Sequence, residues 1–226
     1  PRVVDSLAPG AADFIKVYSL LPRDAYFAIA ARARELKIPF AGHVPESVNV
    51  GEASDSGQRT IEHVTGFALA CSSREAELRA ARAAAGNDPR RIRAIMTSQV
   101  QDALRSYDAA RCQALFERLK KNGTWMVPTL TVLRSTAYLD DTTLASDPRL
   151  KYLPKAITSG WNPRTDFRMR DRTPEDWARA KRVYERNREM IGAMAKAGVP
   201  MLAGTDVLNP YCFPAFSLHD EVALLG

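Results

Sequence analysis

Phe14-Ile15-Lys16-Val17-Tyr18, Pro39-Phe40-Ala41-Gly42-His43 and Arg59-Thr60-Ile61-Glu62-His63 decide how this chain is read. Each is a short apolar run of about the usual strand length. An amphipathic helical stretch separates the first two runs and a shorter one the second pair, the pattern of parallel βαβ units. In parallel α/β folds, chemistry gathers beyond the carboxyl ends of the strands. Lys16, His43 and His63 stand towards those ends. The chain has only three histidines in 226 residues, and two of them occupy this position.

Upstream, residues 1–12 hold Val3, Val4 and Leu7 and close on Pro9-Gly10-Ala11-Ala12, which reads as a helix tail followed by a turn. After the first run, Pro22 can open a helix at its first turn, where the missing amide costs nothing. Tyr26, Ile29, Ala33 and Leu36 would form its buried stripe. A short helix from Val48 to Ser56, closed by Gly57, follows His43. Residues 67–112 are helical, Ala- and Arg-rich, and broken at Gly86-Asn87-Asp88-Pro89. That exceeds an ordinary crossover and reads as an inserted helical subdomain or lid, or as a solvated helical pair with no gating role.

The helix Ala109–Lys121 leads to a fourth strand, Thr124–Val132, with Pro128 near its end. Residues 134–172 read as one long loop, a length usually reserved for function or mobility. Thr173-Pro174-Glu175-Asp176 carries the signals of a helix start: a cap, a proline at the first position and acids in the first turn. Gly198 ends that helix and a fifth strand, Val199–Asp206, follows. Ser217-Leu218-His219-Asp220 looks like the cap of a last helix.

The composition, 46% hydrophobic and 26% charged, is ordinary for a globular protein, and 226 residues can form one domain. The net charge of +6 is spread along helices without a compact basic and aromatic motif, so no nucleic-acid partner is expected. No apolar run approaches the roughly 20 residues of a membrane span. The first residues show no charged-then-apolar signal segment. Cys71, Cys112 and Cys212 are far apart, odd in number and without metal-type spacing, which predicts free, partly buried thiols.

Four residues stand at predicted strand ends: Lys16, His43, His63 and Asp206. Imidazoles and a carboxylate suit zinc and similar divalent metals. A lysine joins such a set only when deprotonated, for instance as a carbamate formed with carbon dioxide. Taken singly, His43 and His63 read as core or loop histidines and Glu62 as a surface charge. Lys16 reads as a salt-bridge partner and Asp206 as a turn residue. Their shared position is what makes a metal site the better reading.

Phe14-Ile15-Lys16-Val17-Tyr18, Gly42-His43-Val44-Pro45, Ile61-Glu62-His63 and Leu202-Ala203-Gly204-Thr205-Asp206 closely resemble the metal-dependent amidohydrolase superfamily. The likeness is to its imidazolonepropionase-like and prolidase-like branch, and Cys71-Ser72-Ser73-Arg74-Glu75 and Val127-Pro128-Thr129-Leu130 extend it over most of the chain. The resemblance implies an α/β fold, a distorted (β/α)8 TIM-type barrel flanked by a small β-sandwich, with two divalent metals, usually zinc. It makes Lys16 a carboxylated bridging ligand, His43 and His63 ligands of the more exposed metal, and Asp206 a ligand of the deeper metal and the catalytic proton carrier.

The family's His-x-His pair has no counterpart here. Residues 1–226 are therefore expected to be the C-terminal part of the barrel domain, without its first three strands or the sandwich, and with the insertion at about 67–112. The implied activity belongs to an intact parent protein: hydrolysis of amide-type C–N bonds in a small-molecule dipeptide or cyclic amide. An oligomer is possible, and the chain alone is expected to bind metal weakly and lack activity. Tyr18 is a candidate hydrogen-bond donor to the substrate carbonyl, or a packing residue at the rim. One alternative is a single-metal deaminase using Glu46, three residues after His43; another is a non-catalytic half-barrel that pairs through its sheet edges.

Overall fold

The computed structural model describes residues 2–6, 12–84, 86, 88–166 and 169–226, which divide into two compact units. The first comprises Pro1–Val127 and Met194–Leu202, the second Pro128–Ala193 and Ala203–Gly226. The turn expected at Pro9-Gly10-Ala11, and Asn87 in the expected helix break, lie outside the described residues.

The first unit begins with α1 (Arg2–Asp5), β1 (Ile15–Val17), α2 (Arg23–Leu36), β2 (Phe40–Gly42), α3 (Val50–Asp55) and β3 (Thr60–Glu62). It continues through α4 (Phe67–Ala70), α5 (Glu75–Ala83), α6 (Pro89–Arg105), α7 (Ala109–Asn122) and β4 (Trp125–Val127). The strands form one parallel sheet in the order β1-β2-β3-β4, as the alternation of runs and helices predicts. The register pairs Lys16 with Ala41 and Thr60 with Trp125. Because side chains alternate along a strand, this sorts the two faces. Ile15, Val17, Phe40, Ile61 and Met126 are buried, whereas Lys16 and Trp125 on the other face stay exposed. Each large apolar side chain on the buried face contributes about 1.5–3 kcal/mol.

On α2, Tyr26, Ala30 and Ala33 are buried, and Ile29 and Leu36 only half-buried, so the stripe is rotated slightly from the expected one. Tyr26 donates its hydroxyl to Gln58 Oε1 at 2.7 Å. Asn49 and Glu52 form a capping box at α3, which starts two residues later than the sequence suggested.

The excursion through α5 and α6 leaves and returns by a narrow neck. Ser72 bridges Tyr107, Ser73 N donates to Ser106 O at 2.8 Å, and Asp108 N donates to Cys71 O at 2.8 Å. Here the expectation of free thiols is overturned: Cys71 and Cys112 are disulfide-bonded. Their separation of 41 residues concealed this, because the neck brings their Cα atoms to 4.7 Å, within bridging range. A bond closing a loop of this size stabilises by about 3–4 kcal/mol through the unfolded chain. Cys212 is free and buried, and burial pushes its thiol up to about 11.

Two expected strands are cut short. The fourth stops at Val127, and Leu130–Ala137, expected to begin as strand, form helix α8 of the second unit. The cause is non-local: Glu221 accepts hydrogen bonds from Leu130 N at 2.8 Å and Thr131 N at 2.7 Å, an anionic cap supplied by a helix some 90 residues on. The fifth strand is reduced to one parallel bridge, Met201 with Met126, flanked by Met126 N to Pro200 O at 2.9 Å and Leu202 N to Met126 O at 2.8 Å. Pro200 has no amide to extend it. The expected TIM-type barrel is thus represented by a four-stranded parallel sheet, and no closed barrel forms among the described residues.

The second unit holds α8, two 3₁₀ turns (Thr142–Ser146 and Pro148–Tyr152), α9 (Lys155–Thr158), α10 (Pro174–Lys196, whose last turn counts with the first unit) and α11 (Phe216–Leu225). Residues 134–172 are therefore not one long loop. Asp141 and Asp147 cap the two 3₁₀ turns, accepting from Thr143 N at 2.9 Å and Arg149 N at 2.8 Å. Leu139, Met169 and Trp177 form a local core. Thr173 and Asp176 cap α10 reciprocally, as the sequence predicts. No helix among the described residues is long and apolar enough to cross a membrane.

Candidate functional site

The carboxyl ends of β1, β2 and β3 bring together Lys16, His43, Glu62 and His63. His43 follows β2 directly and is 8% exposed. Its position depends on Gly42, whose φ is +123° and whose missing Cβ would lie 2.3 Å from Val17 O. Only glycine permits this approach, which lets His43 N donate to Val17 O at 3.1 Å. His63 follows β3 and has a φ of 60°. Strict strand alternation would send its side chain to the Ile61 face; the left-handed residue breaks that alternation.

The result is a close pair, His63 Nε2 lying 3.0 Å from His43 Nε2 with the rings edge to face. Glu62 Oε2 lies 3.7 Å from His43 Nε2 and accepts from Lys16 Nζ at 2.6 Å. One ligand atom from each of His43, Glu62 and His63 falls within a 4.8 Å group, a spacing a metal ion can bridge. Two imidazoles and a carboxylate are the donor set of a zinc-type site, so these residues fit the metal that the resemblance implies.

The other ring nitrogen of His43, Nδ1, lies 2.6 Å from Ser19 Oγ. When Nε2 faces a metal, Nδ1 carries the proton and donates it to the serine, the usual outer-shell partnership of a ligating histidine. Tyr18 stacks on the His43 ring, centroids 4.2 Å apart, and is 63% exposed.

Sequence reasoning named Lys16, His43 and His63 and missed two residues of the cluster. Glu62 had been taken for a surface charge, although its strand parity with Lys16 on a parallel neighbour was a usable signal. Ser19 carried no signal, because its role depends on the backbone turn after β1. Lys16 is an ammonium ion-paired with Glu62, which is the bland reading of that residue; the carbamate would be a different chemical state.

Asp206 belongs to the second unit and ends no strand. It is exposed, has a φ of 51° and accepts from Asn209 Nδ2 at 2.9 Å, so the expected strand-end carboxylate is a turn residue. Glu46, the alternative acid–base group, is engaged in a buried ion pair with Arg82 of α5. Burial holds its carboxyl above the usual range, partly offset by Arg82 and Arg79.

No protein-family model and no curated protein matches this chain. Among solved structures it is similar to a bottromycin amidohydrolase, with a TM-score of 0.62 and 22% identity over 99% of this chain and 44% of that one. A Xaa-Pro dipeptidase with bound methionine aligns at a TM-score of 0.46 and 14% identity, covering 95% of this chain and 38% of that one. An uncharacterized protein aligns at a TM-score of 0.43 and 20% identity, covering 92% of this chain and 34% of that one. The chain spans less than half the length of each, and the first likeness shows a shared fold, a mixed α/β architecture around a parallel sheet.

Proposed function

We propose that this chain carries the metal-binding side of a hydrolase that cleaves an amide-type C–N bond in a dipeptide or cyclic amide, as part of a longer protein. The observation that carries the reading is the 3.0 Å approach of His43 Nε2 to His63 Nε2, with the Glu62 carboxylate beside them, beyond the ends of adjacent parallel strands. Two imidazole nitrogens facing each other at this distance gain little as a hydrogen bond and much as a ligand pair. The name of the bottromycin amidohydrolase, the nearest in fold among these structures, agrees with the reaction class.

In this reading His43, His63 and a carboxylate hold a divalent ion of the zinc type, and Ser19 fixes the His43 tautomer by accepting from Nδ1–H. Bound there, such an ion supplies polarisation of the amide carbonyl and a more acidic water. Lys16 is the candidate for carboxylation: its amine adds to carbon dioxide with loss of a proton, exchanging a positive charge for a negative one and so ending its attraction to Glu62. Tyr18, exposed over the His43 ring, donates its hydroxyl to the substrate carbonyl. Asp206 takes the proton from the attacking water and passes it to the leaving nitrogen.

Zinc titration of the protein and of His43→Ala and His63→Ala variants, followed by assay against a panel of dipeptides and cyclic amides, tests this. Saturable zinc binding that either alanine abolishes, with amide cleavage that Asp206→Asn removes, is the expected result. Zinc binding indifferent to both histidines would overturn it.

A further inference from the structure

A cavity of about 520 Å³ opens beside Ser19, the residue that touches His43. Leu20, Leu21 and Pro22 give it one apolar wall, and Ala80 and Ala83 of α5 another. Its polar groups come from α5: Arg79 and Arg82, with Glu46 from the loop after β2.

The charges there do not cancel. Arg82 is paired with Glu46. Arg79 Nε donates to Glu75 Oε1 at 2.8 Å, but Arg111 Nη2 takes the other oxygen of the same carboxylate at 2.8 Å. Three guanidiniums thus share two buried carboxylates, leaving one positive charge over. Asp24, the other acid in the lining, is exposed on the first turn of α2, where water screens it. Arg23, the remaining cation, is matched by Glu52 in a two-pronged contact of 2.8 and 2.6 Å.

Arg79 also keeps an unused donor. Its Nη1 donates to Val48 O at 3.1 Å, while its buried Nη2 has no partner among the described residues. A buried N–H left unpaired is unusual and calls for an acceptor. A guanidinium with surplus charge and a free N–H, in an otherwise apolar pocket, matches one class of ligand: an apolar body ending in a carboxylate.

We propose that this cavity receives the end of the substrate remote from the scissile bond, an apolar group terminating in a carboxylate, and that Arg79 of the inserted helix binds that carboxylate. The proposal rests on the amide-hydrolase reading for the identity of the scissile bond, but the cavity and its charge stand independently. It gives the insertion a role in choosing the substrate: α5 brings the selecting cation, and the ion pair of Arg82 with Glu46 holds α5 against the loop that follows β2.

Calorimetric titration with N-acetyl-leucine and with its neutral amide, on zinc-supplemented protein, tests it. The two probes have nearly the same shape and differ in charge. The acid should bind about tenfold tighter or better. Arg79→Gln should reduce the acid to the level of the amide, and Arg79→Lys should restore part of the difference. Ala83→Phe, which fills the cavity without touching a charge, should weaken both probes and serves if the arginine variants fail to fold. Equal affinity for acid and amide in the unaltered protein, or a preference surviving both Arg79→Gln and Ala83→Phe, would overturn the proposal. Loss of zinc binding with the acid preference intact would instead remove the metal reading and leave the cavity standing.

Discussion

The two faces of the four-stranded sheet differ in kind. One carries Ile15, Val17, Phe40, Ile61 and Met126, all buried. The other carries Lys16, Glu62 and Trp125, with Phe14 and Tyr18 beside them at 53% and 63% exposure. Residues one position apart in three-residue strands thus have opposite tasks. The first face holds the unit together and contributes nothing to the chemistry. The second adds little stability and supplies every group of the candidate site except His63, which joins it through a left-handed turn. Stability and function are separated here by the pleat of a strand.

Substitutions can break this contrast. The largest effect belongs to Ile61→Ala, which empties a fully buried position and should cost about 2–5 kcal/mol in denaturant unfolding. Zinc affinity of the fraction that remains folded should be unchanged; a parallel loss of affinity would show that the faces are not independent. Next is Ser19→Ala, which removes the partner of His43 Nδ1 and should weaken zinc binding about 10–100-fold while leaving the unfolding midpoint nearly constant.

Glu46→Gln sharpens the contrast at its margin, where the insertion meets the loop after β2. Burial raises the folded carboxyl of Glu46 above its usual range. Its contribution to stability is therefore full below the ordinary carboxylate range and is lost as the pH rises through the raised value. Relative to Glu46→Gln, the unaltered protein should lose stability between about pH 4 and pH 7. A gain over that interval would mean that attraction to Arg82 outweighs burial. The smallest effect is that of Lys16→Met. Its ion pair with Glu62 is half-exposed, so stability should change by about 1 kcal/mol or less. A larger loss would make the outer face structural after all.

Much of the sheet was legible because its signals are local. The runs at Phe14–Tyr18, Pro39–His43 and Arg59–His63 announce β1, β2 and β3, and two histidines fall where parallel strands end. The residues that escaped are those whose environment is made by distant chain. Nothing near Leu130 tells that Glu221 will cap it, so a helix passed for the end of a strand. Cys71 and Cys112 looked unrelated because the neck that joins them is a tertiary feature. Ser19 gains its role only from the turn that carries it to His43. Asp206 was placed by its resemblance alone, and the backbone there turns where a strand was expected.

The disulfide at the neck has a further consequence. Because Cys71 and Cys112 are covalently joined, the excursion between them is a ring closed at its base. A protease that cuts within that ring changes the order of the backbone but separates nothing. The two pieces remain one molecule until a reductant frees them, so a nicked chain would migrate as intact protein on a non-reducing gel and as two fragments on a reducing one. The insertion is the one part of this chain that can be severed and kept.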